Sequence, residues 1–305
     1  MIVVTSGSAY LDIDAYACCI AYAELLNLQG VEARAVSSAP LNASITASVL
    51  VGPVSLDGYV PQAGDEFVLV DVSDYHHFDL RVILDQVVEV IDHHPGYEQY
   101  WAERLGTAAD IRPIGAAATM VFQRWQAAGL LPRISAQSAA LLATAILDNT
   151  LNFSGQMTAK QDIEAYAVLA QGANLAANWP EQYFLECQGA IEADLQAALA
   201  ADLKRFNTDS NLPQVFAQMT VWDADGLLQN HRNEISCWMA GQGDDWLLNV
   251  ISIRDRQSCL LAEPAISQKK LSRLLPLNWQ ASMAVVKPSM LRKELLKLGL
   301  DLNPT

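Results

Sequence analysis

Three short apolar runs, each leading into acid, constrain this chain more than any other feature. Ile2-Val3-Val4 passes through Thr5-Ser6-Gly7-Ser8 into Asp12-Ile13-Asp14. Phe67-Val68-Leu69-Val70 stops at Asp71, with Asp74 and the pair His76, His77 following. Val87-Val88-Glu89-Val90-Ile91 stops at Asp92-His93-His94, just before Pro95. Short β-branched runs bounded by turn formers read as buried strands. In a parallel sheet the carboxyl ends of the strands share one edge, and ligands bind just outside it. Carboxylates gathered at one edge repel each other unless a cation neutralises them, so the arrangement implies bound metal. Oxygen and nitrogen donors side by side suit manganese, zinc or iron better than calcium. Taken alone, Asp92-His93-His94 also suits an Asp capping a following helix beside two surface imidazoles; the repetition upstream favours the metal.

Between these runs the chain turns helical. Ala15, Cys18, Cys19, Tyr22, Leu25 and Leu26 recur at helical spacing, and Gly30 is a natural stop. Residues 31–36 read as a short strand, and Val49-Leu50-Val51 as a further one before Gly52-Pro53. Gly115-Ala116-Ala117-Ala118-Thr119 opens a helix whose amides can face an anion, or whose small residues can serve close packing on the sheet. Residues 135–147 form a largely apolar helix that delivers Asp148. Residues 158–173 form another, opened by a capping box of Thr158 and Gln161. Alternating strand and helix predicts an α/β domain with a parallel sheet.

The pattern breaks over residues 174–180, after which 181–204 reads as helices. Residues 215–222, 246–253 and 259–261 then read as strands of a second, smaller α/β unit. A chain of 305 residues holds two domains of ordinary size. The expected division is 1–188 and 189–305, with the active site in the cleft between the domains.

Charge narrows the function classes. The net charge of −15 argues against a general nucleic-acid binder, which needs a basic footprint. Seven Lys or Arg (269, 270, 273, 287, 292, 293 and 297) stand against Glu294 and Asp301 in residues 266–305, so this stretch carries +5 and the remainder −20. An acidic body that collects divalent cations, with a basic tail that grips an anion, fits phosphate chemistry, although most of the seven also suit a solvated helix. The five cysteines (18, 19, 187, 237, 259) lack paired metal spacing and read as buried fillers in a reducing compartment. No basic leader and no run of 18 apolar residues is present, so a soluble, cytoplasmic protein without membrane partners is expected.

Taken in order, Asp12-x-Asp14, strand-end Asp71, Asp92-His93-His94, and Asp148 within Ala145-Ile146-Leu147-Asp148-Asn149-Thr150-Leu151-Asn152-Phe153 resemble the four motifs of the DHH phosphoesterases. The C-terminal third resembles the smaller domain of the branch containing manganese-dependent inorganic pyrophosphatases, exopolyphosphatases and prune proteins. The resemblance implies a phosphoanhydride hydrolase of pyrophosphate or short polyphosphate, working by two-metal activation of a bridging hydroxide, with a small anionic phosphate substrate. Matched onto the motifs, Asp12 and Asp71 ligate one ion. Asp14, His93 and Asp148 complete the other, and Asp71 bridges both. His94 contacts the scissile phosphate or orients a ligand. Two divalent ions are implied, manganese foremost with cobalt or magnesium as substitutes, in a monomer or homodimer.

Departures accompany the match. Ser8 stands where the pyrophosphatases carry a metal-binding His. Alignment through Thr150 and Phe153 puts Asn149 at the acid of the fourth motif; Asp148 is preferred because an amide cannot supply charge. The family's basic substrate clamp is best met by residues 289–293, giving Arg292 and Lys293, with Lys269-Lys270 or Arg273 as a competing reading. Two alternatives remain at this point. One is a nucleotide phosphodiesterase or oligonucleotide phosphoesterase of the same fold, whose late Gly-rich His motif is absent here. The other is a degenerate metal-binding interaction protein.

Overall fold

The computed structural model describes residues 1–50, 56, 58–206 and 211–301, with the side chains of 293, 300 and 301 outside the described set. Two compact units result, Met1–Tyr183 and Phe184–Thr305.

The first unit is built on β1 (Ile2–Thr5), β2 (Ala33–Ala35), β3 (Glu66–Val70), β4 (Val87–Asp92) and β5 (Ala109–Ile111). Their order is β2-β1-β3-β4-β5 and every pairing is parallel. Register brings the acids together: Thr5 lies opposite Leu69, and Val70 opposite Ile91. The three strands therefore end nearly level, and the residues that follow emerge at one edge.

Helices α1 (Ile13–Leu28), α2 (Glu98–Leu105), α3 (Ala117–Ala127), α4 (Ala136–Asn149) and α5 (Lys160–Gly172) complete the unit, and α6 (Trp179–Ala193) begins in it. Helix α1 is buried along most of its length, from Ile13 to Leu25, as befits a helix apolar on nearly all faces. Val3, Phe67, Leu69, Val90 and Trp101 form a separate core cluster. Cys18, Cys19, Cys187 and Cys259 are buried free thiols as expected, whereas Cys237 is exposed.

The second unit carries α7 (Leu195–Ala201), β6 (Leu203–Arg205), β7 (Val215–Val221), α8 (Ala224–Ala240), β8 (Trp246–Ser252), β9 (Gln257–Leu261), α9 (Ala265–Leu274), β10 (Met283–Val286) and α10 (Arg292–Asp301). Its sheet, ordered β10-β9-β8-β7-β6, is mixed, with β7 and β8 parallel and the remaining pairs antiparallel. All seven residues of β8 are buried, so this strand is the spine of that core.

Three local expectations are corrected. Val49 lies in a turn in which the Thr46 carbonyl accepts from the amides of Val49 and Leu50, not in a strand; Val51 lies outside the described residues. The capping box of α5 stands one residue later than expected, at Ala159 and Asp162, with Asp162 rather than Gln161 reaching back and accepting from the Ala159 amide at 2.7 Å. Lys204 belongs to β6, where pairing with Phe216 overrides its helical neighbourhood. Among the described residues no helix is long and apolar enough to cross a membrane.

Candidate metal centre

Each acid reaches the sheet edge by a different device. Asp12 is the N-cap of α1, its Oδ1 accepting from the amides of Asp14 at 3.1 Å and Ala15 at 3.0 Å. The capping role and a ligand role coexist, since a carboxylate has a second oxygen. Asp14, one residue into the helix, is wholly buried. Its Oδ2 accepts from Ala117 N and its Oδ1 from Ala118 N, both at 2.8 Å. The anion that faces the start of α3 is thus the protein's own Asp14, which a helix N-terminus favours.

Asp71 follows β3 with φ of 56°, a left-handed conformation that Asp tolerates but that costs free energy, and its amide stays in register by donating to Ile91 O at 2.9 Å. Asp92 ends β4, and Asp148 is the penultimate residue of α4.

The chemistry of the donors decides what this edge holds. His93 Nδ1 lies 3.0 Å from the Ile114 carbonyl oxygen, which can only accept, so Nδ1 carries the proton in the neutral ring and Nε2 presents a lone pair. That Nε2 lies 3.3 Å from Asp71 Oδ1 and 4.0 Å from Asp14 Oδ2. Asp71 Oδ1 is buried without a hydrogen-bond partner. A carboxylate oxygen and an imidazole lone pair facing each other this closely need a cation between them. One ligand atom from each of Asp71, His93 and His94 falls within a 4.8 Å cluster, in which the Asp71 oxygen and the His93 nitrogen fit a transition-metal dication.

His94 is held differently. Asp92 Oδ1 accepts from the amides of His93 at 2.7 Å and His94 at 3.2 Å, and lies 2.9 Å from His94 Nδ1. Asp92, buried, thus organises His94 and leaves its Nε2 for another partner. The His94 side chain is 61% exposed, which suits contact with an incoming molecule.

Electrostatics tell the same story. Burial, followed by the charges of Asp14 and Asp12, pushes the Asp71 carboxyl well above its ordinary value, although His94 pulls the other way. Burial likewise raises Asp14, against the pull of His93. Asp148 is pushed up to about 7, chiefly by burial and further by Asp12 and Asp14, while Tyr183 opposes the shift. Burial works against ionised Asp92, but its bonds from His94 win and hold it below the carboxylate range. Burial works against protonated His94, yet the bond to Asp92 and the charge of Asp71 raise it. Acids crowded and dehydrated to this degree stay ionised only with a positive partner, and no Lys or Arg pairs with Asp12, Asp14, Asp71 or Asp148 among the described residues.

Other expected residues are employed elsewhere. His76 and His77 are exposed and face Asp74, at 2.9 and 3.4 Å. Ser8 ties the β1 loop to the His77 carbonyl, its amide donating at 2.8 Å and its hydroxyl at 3.3 Å. In the second unit the Arg292 guanidinium rests on the carboxylate and carbonyl of Asp202 and over the Phe216 ring, 5.8 Å from its centroid. Lys293's side chain is outside the described set. Lys270 is paired with Asp245 at 2.7 Å, while Lys269 and Arg273 are exposed.

Sequence reasoning missed two residues that shape the site. Asp162 accepts from Gly115 N at 3.1 Å and Thr119 Oγ1 at 2.5 Å, fixing the loop whose amides grip Asp14. A Cβ at Gly115 would run into that carboxylate and into the Thr150 methyl, so glycine is needed there. Tyr183 reaches Asp148 across 35 positions of sequence, and no local pattern marks it.

A probable manganese-dependent inorganic pyrophosphatase of Bacillus pumilus is 29% identical over 298 residues, covering 93% of this chain and 92% of that protein. The manganese-dependent inorganic pyrophosphatase of Bacillus subtilis is 28% identical over 263 residues, covering 82% of each. The chain resembles the pyrophosphatase branch of the DHH phosphoesterases. No family model matches it. Among solved structures, a Methanococcus jannaschii protein assigned as a family II inorganic pyrophosphatase superposes with a TM-score of 0.66 at 17% identity, covering 98% of this chain and 100% of that one, a likeness of fold. The pyrophosphatase-like architecture of two α/β units, the first with an all-parallel sheet, is therefore established for this chain.

Proposed function

We propose that the protein is a metal-dependent phosphoanhydride hydrolase acting on inorganic pyrophosphate or short polyphosphate. The observation that carries this reading is the confrontation of Asp71 Oδ1 with the His93 Nε2 lone pair at 3.3 Å, inside a ring of carboxylates raised by burial. Asp12 and Asp71 would hold one ion and Asp14, His93 and Asp148 a second, with Asp71 common to both. Manganese fits the mixed donor set, with cobalt a substitute and magnesium weaker because of the nitrogen ligand. When bound, two such ions would lower the pKa of water toward neutrality and neutralise phosphate oxygens for in-line displacement.

The chain's own residues do the rest. Ala117 and Ala118 amides hold Asp14 in place, and the Ile114 carbonyl holds the His93 ring with its lone pair inward. Asp92 keeps the proton of His94 on Nδ1 and turns Nε2 toward the substrate, where it can donate to a phosphate oxygen once protonated. The small anionic substrate and the net charge of −15 weigh against nucleic acid as a partner.

Purified protein, stripped with chelator and reloaded with manganese, cobalt or magnesium, should be assayed on pyrophosphate, a polyphosphate length series and dinucleotides. Release of orthophosphate from the first two with manganese is expected. Turnover of dinucleotides alone, or full activity in magnesium alone, would overturn the reading.

A further inference from the structure

Tyr183 is fully buried, and its hydroxyl oxygen lies 2.9 Å from Asp148 Oδ1 and 3.0 Å from the Ser44 carbonyl oxygen. A buried phenol must be partnered, and here its one proton stands within reach of two acceptors, one of them a carboxylate. The Ser44 segment is itself fastened to the start of α1. Ser44 Oγ accepts from Ile13 N at 2.9 Å, Leu11 N donates to Pro40 O at 2.8 Å, and Asn42 N donates to Leu11 O at 2.9 Å. A single hydroxyl thus links the acid delivered by α4 to the loop that flanks Asp12 and Asp14.

The same pair of helices carries a second bond one turn earlier. Trp179 Nε1 donates to Thr144 Oγ1 at 3.0 Å. Thr144 and Asp148 stand four apart on α4, as Trp179 and Tyr183 do on α6, so each pair lies on one helix face. The Trp179 bond therefore ties the start of α6 to α4 independently of the Tyr183 hydroxyl, which faces Asp148.

We infer that Tyr183 is a positioning residue for Asp148: by occupying Oδ1 it holds the carboxylate in one rotamer and leaves Oδ2 as the oxygen offered to an ion. This inference rests on the metal-centre reading above. Hydrogen bonds to ligating carboxylates are worth about ten- to a hundredfold in metal affinity.

The test compares manganese titration by calorimetry, metal analysis and melting for the wild type, Tyr183→Phe, Thr144→Val, Asp148→Asn and the Tyr183→Phe/Asp148→Asn double variant. Phe keeps the buried ring and removes only the oxygen. Tyr183→Phe is expected to weaken one manganese site by about ten- to a hundredfold while sparing the other, with kcat at saturating manganese retained. Thr144→Val, which breaks the neighbouring bond, should lower the melting temperature without touching manganese affinity. In the Asp148→Asn background the Tyr183 substitution should add nothing, because its effect passes through that carboxylate. Wild-type affinity at both sites in Tyr183→Phe, or a full additive loss in the double variant, would overturn the positioning role while leaving the metal centre intact. Failure of the wild type to bind manganese would instead overturn the reading of the centre itself.

Discussion

The second unit and the sheet edge of the first treat their acids in opposite ways. In the second, three carboxylates find cations of the same chain: Asp245 meets Lys270 at 2.7 Å, Asp223 meets Arg254 at 2.8 Å, and Asp202 holds Arg292. In the first, the sheet edge collects Asp12, Asp14, Asp71 and Asp148, and among the described residues the ion pairs there are with the imidazoles of His93 and His94. A pair such as Asp245 and Lys270 closes its own charge account and stabilises without outside help. The sheet-edge cluster can be neutral only by taking up protons or metal, and its raised pKa values record the first option. Charge satisfied internally makes a scaffold, and charge left open makes a binding site.

The sharpest break of this contrast is to remove one acid from each unit. Asp71→Ala should abolish binding of both manganese ions and cut hydrolysis by a factor on the order of a thousand or more, as loss of a central electrostatic group does. Asp12→Ala should lose only one ion. Asp245→Ala should leave manganese stoichiometry untouched and cost about 3–5 kcal/mol in stability, because Lys270, only 14% exposed, loses its counter-ion. Metal analysis together with denaturant melts separates the outcomes; two ions retained in Asp71→Ala would mean that it is not shared.

Manganese itself should act on the first unit as Lys270 acts on the second. At a hundredfold excess over its dissociation constant each site should add about 2.7 kcal/mol to stability. Scanning calorimetry of chelated and reloaded protein reads this directly, and an unchanged melting temperature would leave the open charge unexplained.

The pH dependence has a definite sign. Burial raises Asp148 in the folded, metal-free protein from 3.8 to about 7, and Asp14 and Asp71 shift the same way. A raised acid favours folding while protonated, so this contribution is whole below about pH 4 and is lost as pH climbs through about 7. The metal-free protein should accordingly melt lower at pH 8 than at pH 5, and Asp148→Asn should flatten the slope. Manganese, which selects the ionised form, should reverse it; a metal-free melting temperature that rises over this range would contradict the assignment.

The smallest effect is expected at Ser8. Its amide keeps the His77 carbonyl bonded whatever the side chain, so Ser8→Ala should cost at most about 1 kcal/mol and retain both ions. Loss of an ion in that variant would show that the hydroxyl does reach the metal, in place of the imidazole found in the pyrophosphatases.

Much of this was legible in the chain. Three apolar runs ending in acid announced a parallel sheet with a charged edge, because strand period, turn formers and strand-end placement are local properties of sequence. The helix delivering Asp148 and the stop at Gly30 were readable for the same reason. The misses were also local but lay at boundaries: Val49 turns back through Thr46, and Asp162, one position beyond Gln161, reaches back because the N-cap of α5 is Ala159 and not Thr158.

Sequence by itself determined which chemistry this protein carries: acids and imidazoles in fixed order at the ends of strands, and hence a site that demands a cation. Tertiary structure decided which atoms of those residues are free to act. The Ile114 carbonyl sets the His93 lone pair, Ala117 and Ala118 amides take Asp14 from 103 and 104 positions away, Tyr183 claims one oxygen of Asp148, and Asp202 claims Arg292. No periodicity encodes those choices, because a hydrogen bond is made by whichever donor the packed chain brings within about 3 Å, and that neighbour is settled only when distant segments share one core.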